Sequence, residues 1–420
     1  MSSFPALATR NGKLYFLGHA VSQSGTWMNA AAMAWLVLDL TGSGAAVGVC
    51  ASLQALPVLF VGPFAGVLVD RVSRYRLLLL LQSLQGLNAL LLGILAVTGH
   101  VEVWHIFASS LAYGLGRSFE IPTRQAFMAE IVGRDQLRNG ITLQSTLNNA
   151  ARIVGPSLAG LVIAGVGTWL CFVLNAASYV VILGLFFALN LTGVQFRPPT
   201  ARTKGRMLEG LRHVSGDPVA APVLTMSVLS GVFLQQYQTT LPLLAKQTFD
   251  SGPQGFGVLM SGFGVGAVIG GLIAARTGRT GVRPVAIACI AVSLGYALTA
   301  TMPSLALAAV VMVMVGMANI SLLTTANASI QLSGGPALQG RLVALYAAAN
   351  VGAAALGAPL VGLVCDAVGV RWCLVITASA GVLAGLRGLY IARGGRTSPG
   401  RKPEDESPDE EPRFRIAEER

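Results

Sequence analysis

The sequence predicts an all-α polytopic membrane protein, with twelve transmembrane helices in two six-helix bundles. Three observations predict it. Of 420 residues, 53% are hydrophobic and 11% charged, with a mean hydropathy of +0.65, whereas an ordinary soluble domain carries roughly 25% charged residues. The apolar residues fall into runs of about 20, the length a helix needs to cross a bilayer. A short charged stretch, Gly66-Val67-Leu68-Val69-Asp70-Arg71-Val72-Ser73-Arg74-Tyr75-Arg76, has a weaker copy in the second half. That copy, Gly271-Leu272-Ile273-Ala274-Ala275-Arg276-Thr277-Gly278-Arg279, aligns Gly271, Arg276 and Arg279 with Gly66, Arg71 and Arg74. A duplicated loop implies a duplicated bundle.

After an N-terminal segment, 1–14, spans are expected near 15–38, 46–69, 77–98, 104–123, 140–165 and 168–190, then near 221–247, 255–275, 283–301, 304–330, 341–365 and 370–392. The first run is long enough to span and lacks the charged region and cleavage site of a signal peptide, so it is expected to stay as helix one. The N-terminal bundle covers 15–190 and the C-terminal bundle 221–393. Between them, 191–220 reads as a cytoplasmic linker carrying Arg197, Arg202, Lys204, Arg206 and Arg212 with Pro198, Pro199 and Pro218, and a short surface helix is expected near 207–214. The tail, 394–420, is charged and Pro-rich, holds eight of the chain's 18 acidic residues, and is expected to be disordered.

Orientation follows from cation placement. Connections on the side of the N-terminus collect Arg71, Arg74, Arg76, Arg134, Arg138, the linker cations, Arg276, Arg279, Arg283 and Arg341, while the other side holds Lys246 and Arg371. Both termini are therefore expected in the cytoplasm, with the chain in the inner cell membrane.

Composition also narrows the function. The net charge of +11 fits loops facing anionic lipid rather than a nucleic-acid surface. The five cysteines (Cys50, Cys171, Cys289, Cys365 and Cys373) form no CxxC pair and read as small apolar fillers, implying neither metal nor disulfide. His19, His100, His105 and His213 are scattered, which argues against a membrane-embedded enzyme. No GxxxxGK[ST] loop occurs, so ATP would have to act through another subunit. No cofactor is expected.

The stretch from Gly66 to Arg76 resembles the loop between the second and third helices of the major facilitator superfamily. The resemblance implies a cytoplasmic gate in which Asp70 accepts bonds at helix ends and Arg71 and Arg74 pair across the face. The residues alone equally allow a basic loop that only fixes topology. With Ala275 in place of the acid, Arg276 and Arg279 would form a weaker latch or none. Glu120-Ile121-Pro122-Thr123-Arg124-Gln125-Ala126-Phe127, Arg152-Ile153-Val154-Gly155-Pro156-Ser157-Leu158-Ala159-Gly160 and Phe172-Val173-Leu174-Asn175-Ala176-Ala177-Ser178-Tyr179 are similar to the branch containing enterobactin exporters and macrolide efflux proteins. Gln331 with Gly340-Arg341-Leu342-Val343-Ala344-Leu345-Tyr346 extends that similarity into the second half.

Gly155-Pro156 with Gly160 resembles the helix-five signature associated with antiporters, which favours export. Physically, Pro156 removes a backbone donor and kinks the helix, and the glycines admit a close neighbour; a kink for packing alone is the alternative. Gly357-Ala358-Pro359-Leu360-Val361-Gly362 supports the internal repeat with its final glycine shifted. Glycines Gly255, Gly257, Gly262, Gly264, Gly266, Gly270 and Gly271 crowd helix eight, where small residues let backbones approach and slide.

Buried polar residues are the remaining candidates. Gln144, Asn148 and Arg152 recur every four residues and line one helix face. Counted from Gly140, Arg152 lies about 18 Å deep, where a charge costs about 3 kcal/mol unless it meets a partner or water. It either contacts a polar or anionic group on a substrate or forms a fixed bridge. Arg117 and Glu120, three apart, are expected to neutralise each other, with Glu120 near the cytoplasmic boundary as the acidic partner of Arg74. Gln23, Asn29, Gln235, Gln236, Tyr237, Asn319, Tyr346 and Asn350 are further cavity candidates, each with helix–helix bonding as the alternative. His19, Arg117 and Glu120 are candidates for coupling to protons, since no lone mid-membrane acid presents itself.

The function expected from these residues and the resemblance is secondary-active export of a small, fairly hydrophobic molecule, with alternating access driven by proton antiport. An uptake facilitator or symporter is the rival within transport. The expected partners are a small-molecule substrate, protons and the lipid bilayer, with no nucleic acid, and the chain is expected to act as a monomer.

Overall fold

The computed structural model describes residues 5–69, 71–133, 136–190, 212–334 and 336–394. Asp70, Arg134, the linker up to 211 and the tail from 395 lie outside them, as does most of the surface helix expected near 207–214; residues 212–216 are helical. In the first half the helices are α1 (Arg10–Thr41), α2 (Gly44–Phe60), α3 (Gly62–Val69), α4 (Arg74–Val97), α5 (Val103–Val132), α6 (Leu137–Gly165) and α7 (Thr168–Phe187). In the second they are α8 (Ala220–Phe233), α9 (Tyr237–Leu243), α10 (Pro253–Thr277), α11 (Val282–Thr301), α12 (Leu305–Ser333), α13 (Pro336–Val368) and α14 (Val370–Arg393).

Small polar residues mark the helix starts by accepting backbone donors that have no partner inside the helix. Thr9 accepts from Gly12 at 3.0 Å, Ser73 caps α4, and Asp217 accepts from Val219 at 2.8 Å and Ala220 at 2.6 Å ahead of α8. Gly42 ends α1 with φ 65, a left-handed conformation that favours glycine.

Prolines and side-chain bonds to the backbone mark where the expected spans differ from the observed helices. The span near 46–69 is two helices meeting at Val61, whose N–H bonds Pro57 at 2.8 Å, because Pro63 has no N–H to continue the ladder. The span near 221–247 breaks between α8 and α9 and then relaxes into a π turn at Leu244–Thr248, just after Pro242. There the Gln236 side chain donates to the Gly231 carbonyl at 2.6 Å and to Ala354 at 3.3 Å. Pro122 does not end α5, which runs on to Val132. Glu120 therefore sits 12 residues, about 18 Å, from the end of its helix rather than near a boundary.

Within each half the helices pack side by side: α1 on α6 and α7, α4 on α5 and α7, then α10 on α12 and α11 on α14. The halves meet chiefly through α2 against α13 and α6 against α10, two crossings at equivalent positions of the repeat. Glycines permit both. A Cβ on Gly160 would lie 2.7 Å from the Gly257 Cα of α10, and one on Gly362 would collide with the Gly44 backbone of α2. The matching pair, Gly155 and Gly357, abuts α1 and α8 respectively. Both glycines of the helix-five motif are thus kept in its repeat at the same spacing, and it is the proline, Pro156 against Pro359, that shifts.

Helix α10 spends its glycines on two faces. Gly262, Gly266 and Gly270 lie against the α12 backbone at Ala309, Val313 and Met317, while Gly257 and Gly264 face α6 at Gly160 and Ile153. Close packing accounts for these five, whereas Gly271 faces open space.

Among the described residues, seven helices are long and apolar enough to cross a membrane: α4, α7, α10, α11, α12, α13 and α14. The long helices α1, α5 and α6 fall outside that set because of the polar and charged residues they carry. Those three helices meet at the site described next.

Candidate functional site: a buried polar network beside an apolar cleft

Five helices of the first half bring polar side chains to one point. On α5, Glu120 and Arg124 are one turn apart and form an ion pair, both almost fully buried. Glu120 also accepts from Gln82 at 3.0 Å and Gln85 at 2.8 Å on α4, and Gln85 accepts from the Tyr179 hydroxyl of α7 at 2.8 Å. Arg124 reaches His19 Nδ1 of α1 at 3.0 Å, and His19 Nε2 lies 3.0 Å from Asn148 Oδ1 of α6. An arginine can only donate, so His19 Nδ1 accepts and Nε2–H donates to Asn148: the ring is neutral and its tautomer is fixed. A buried carboxylate carrying two amide donors and a cation is a satisfied charge; removing any one member leaves an uncompensated group in a dry site.

Beside this network lies a cleft of about 230 Å³ lined by α1, α2, α5, α9 and α13, and therefore by both halves. Its walls are apolar, from Ala34, Val47, Val58, Ile121 and Val351, with Gln54, Gln238 and Arg117 as its polar groups. Arg117 donates to the Tyr113 hydroxyl at 3.3 Å.

Away from the chain termini the two halves are latched together. Asp366 of α13 accepts from Ser43 Oγ at 2.7 Å and from the Gly44 and Ala45 N–H groups at 2.6 and 2.9 Å, capping α2 from the opposite half. Lys246 pairs with Asp39 at 2.8 Å, and Gln247 donates to the Gly42 carbonyl at 3.3 Å. Deeper bonds follow at Ser52 to the Ala355 carbonyl and between the Ser157 and Ser261 hydroxyls at 2.7 Å. A carboxylate at a helix N-terminus meets both the free N–H groups and the positive end of the dipole.

Several expected pairings differ. Arg74 pairs with Glu130, not Glu120, since the extended α5 carries Glu130 ten residues nearer the loop. Arg117 and Glu120 form no ion pair: Glu120 is taken by Arg124, and Arg117 turns toward Tyr113 and the cleft. Gly66 is buried, whereas Arg71, Arg276 and Arg279 are exposed at the terminal face. Asn148 and Arg152 do share a face of α6, the one against α1: Arg152 lies 4.9 Å from the Trp27 ring centroid, with its Nε buried and unpartnered. Gln23 and Gln144 are half-buried.

Most of the remaining cavity candidates make contacts within helices or between them. Gln235 bonds Asn350 at 3.4 Å, Asn350 bonds the Tyr346 carbonyl at 3.0 Å, and Tyr346 donates to the Leu323 carbonyl at 3.1 Å. Tyr237 stacks on Phe263, with centroids 4.5 Å apart. Asn29 contacts Met33 Sδ within α1, and Asn319 is buried with its amide nitrogen unpartnered. Sequence reasoning missed Arg124, Gln82, Gln85 and Tyr179 in the network and Gln54 in the cleft, whereas Gln238, beside Tyr237, was legible as a cavity residue. For Arg124 a signal existed, its i,i+4 spacing from Glu120; the others come from separate helices that no spacing connects.

Two helical bundles around a shared cleft define a polytopic transporter of small molecules rather than an enzyme. The chain belongs to the transmembrane secretion effector family of the major facilitator superfamily, whose family model matches residues 1–416. It is similar to the multidrug efflux pump Tap of Mycolicibacterium fortuitum, with 25% identity covering 92% of this chain and 97% of that protein. Macrolide efflux protein A of Streptococcus pyogenes is 24% identical over 69% of this chain and 73% of its own length. In fold it resembles a crystal structure of a bacterial homolog of the human lysosomal transporter Spinster, with a TM-score of 0.76 and 13% identity over 92% of this chain and 98% of that one.

Proposed function

We propose that this protein is a proton-coupled exporter of small, fairly hydrophobic molecules in the inner cell membrane, working as a monomer with both termini in the cytoplasm. The carrying observation is the apolar cleft shared by the two halves, beside a buried polar network and beneath a latch that, among the described residues, joins the halves away from the termini. With the termini inside, that latch is the outer gate. Export then requires Asp366 to release Ser43, Gly44 and Ala45, and Lys246 to release Asp39, while the loop from Gly66 to Arg76, with Asp70, Arg71 and the Arg74–Glu130 pair, closes the cytoplasmic side. The likeness to Tap and to macrolide efflux protein A supports the outward direction.

Coupling is assigned to His19. A proton placed on Nδ1 would set its new N–H against the Arg124 guanidinium, breaking the 3.0 Å contact and repelling Arg124. The link between α1 and α5 is thereby made to depend on protonation. Everted vesicles with an acidic lumen test the reading: they should accumulate the exported compound from a panel of antibiotics and siderophores, and a protonophore should stop it. A His19→Gln variant can keep both hydrogen bonds but cannot take up the proton, so it should fold and insert normally yet lose gradient-driven accumulation. Accumulation indifferent to the protonophore removes proton coupling.

A further inference from the structure

We infer that the transported substrate is an amphipathic acid, an apolar body bearing one anionic group that pairs with Arg117. The inference rests on the transport reading above and names the chemistry of its cleft. Among the described residues no Asp or Glu lines that cleft, and Arg117 is its charged group. Its described hydrogen bond goes to a neutral phenol, Tyr113 at 3.3 Å, and among the described residues it forms no ion pair. Glu120, the acid nearest along α5, is committed to Arg124, Gln82 and Gln85. A side chain that is exposed to an apolar cleft, cationic, and held by a neutral partner is arranged to receive an anion.

A second cation strengthens the case. Arg152 lies over Trp27 with its Nε unpartnered, and Trp27 is one turn along α1 from Ala30 and two from Ala34, both of which line the cleft. Two guanidiniums thus flank the same helix, and among the described residues no carboxylate is ion-paired to either. Like charge excludes an organic cation more effectively than apolar contact selects for it. The planar guanidinium fork fits a carboxylate or sulfonate through paired N–H donors, and a low-dielectric wall strengthens that bond. Gln54 and Gln238 supply neutral polar contacts for the remainder of the head group.

Three probes with one apolar body separate the possibilities: naphthylacetic acid, its amide, and naphthylethylamine, respectively anionic, neutral and cationic at neutral pH. Binding is measured by calorimetry on the whole chain in nanodiscs. The acid should bind about tenfold or more tighter than the amide, the worth of a charge-assisted bond, and the amine weakest. Arg117→Gln should erase the acid's advantage, Arg117→Lys should retain part of it, and Gln54→Glu should favour the amine over the acid. Thermal unfolding of each variant confirms that it is folded. No preference for the acid, or a preference unchanged in Arg117→Gln, overturns the inference. Counterflow of the same probes in proteoliposomes keeps the two readings apart. Acid bound but not moved removes the transport reading alone, whereas amine or amide moved as well as acid removes the acid inference alone.

Discussion

Glu120 shows how much a single residue depends on neighbours that are distant in sequence. Its carboxylate is held by one cation and two amides from two helices, and breaking a buried pair by removing one partner costs about 3–5 kcal/mol, because the other charge is left uncompensated. Glu120→Gln should therefore lower the thermal midpoint in nanodiscs sharply, and Glu120→Gln with Arg124→Gln should recover part of the loss, since neither charge then remains. Equal midpoints for the single and double variants would show that the pair does not couple. The sequence marks Glu120 as a membrane-embedded acid but assigns it to Arg74 and Arg117. The assignment follows from ending the helix just after Pro122; once α5 continues to Val132, Glu130 is the acid that reaches Arg74.

At the scale of the element, helix contacts are set by where glycine stands. Gly160 touches Gly257 across the halves, and a side chain there has no space, whereas Gly271 has nothing within 4 Å of the position a Cβ would take. Gly160→Val should force α6 from α10, reducing both thermal stability and transport. Gly271→Ala should be neutral or stabilising by up to about 1 kcal/mol, the helix-propensity difference between the two residues. Paired unfolding and transport assays on the two variants test this contrast. The number and order of the long helices were legible because apolar runs of membrane length are local properties. The breaks in α2–α3 and α8–α9 were less so, because Pro63 opens α3 while Pro57, Pro122, Pro156, Pro242 and Pro359 stay inside their helices, and the α8–α9 break at Leu234–Gln236 contains no proline. Where a helix breaks depends on which neighbour satisfies the freed carbonyl, as the Gln236 side chain does for Gly231.

For the whole molecule the decisive feature is a latch between halves on the face away from the termini. Ser43→Cys with Asp366→Cys replaces its central hydrogen bond with two thiols. A short thiol-specific cross-linker should join them readily and arrest transport, and reduction should restore it; the chain's own five cysteines are buried. Failure to cross-link would mean that this face does not rest closed. By itself the sequence determined the solvent, the two-fold repeat and the helix order, because hydrophobic length, charge asymmetry and duplicated motifs are written along one chain. It also singled out His19, Asn148, Arg152 and Glu120 as polar groups in an apolar setting. Only the tertiary structure decided which of these meet, that Asp366 caps a helix of the other half, and that Arg117 faces a cleft instead of an acid. Burial and pairing are properties of side chains brought together from helices more than a hundred residues apart, and no periodicity along the chain encodes that distance.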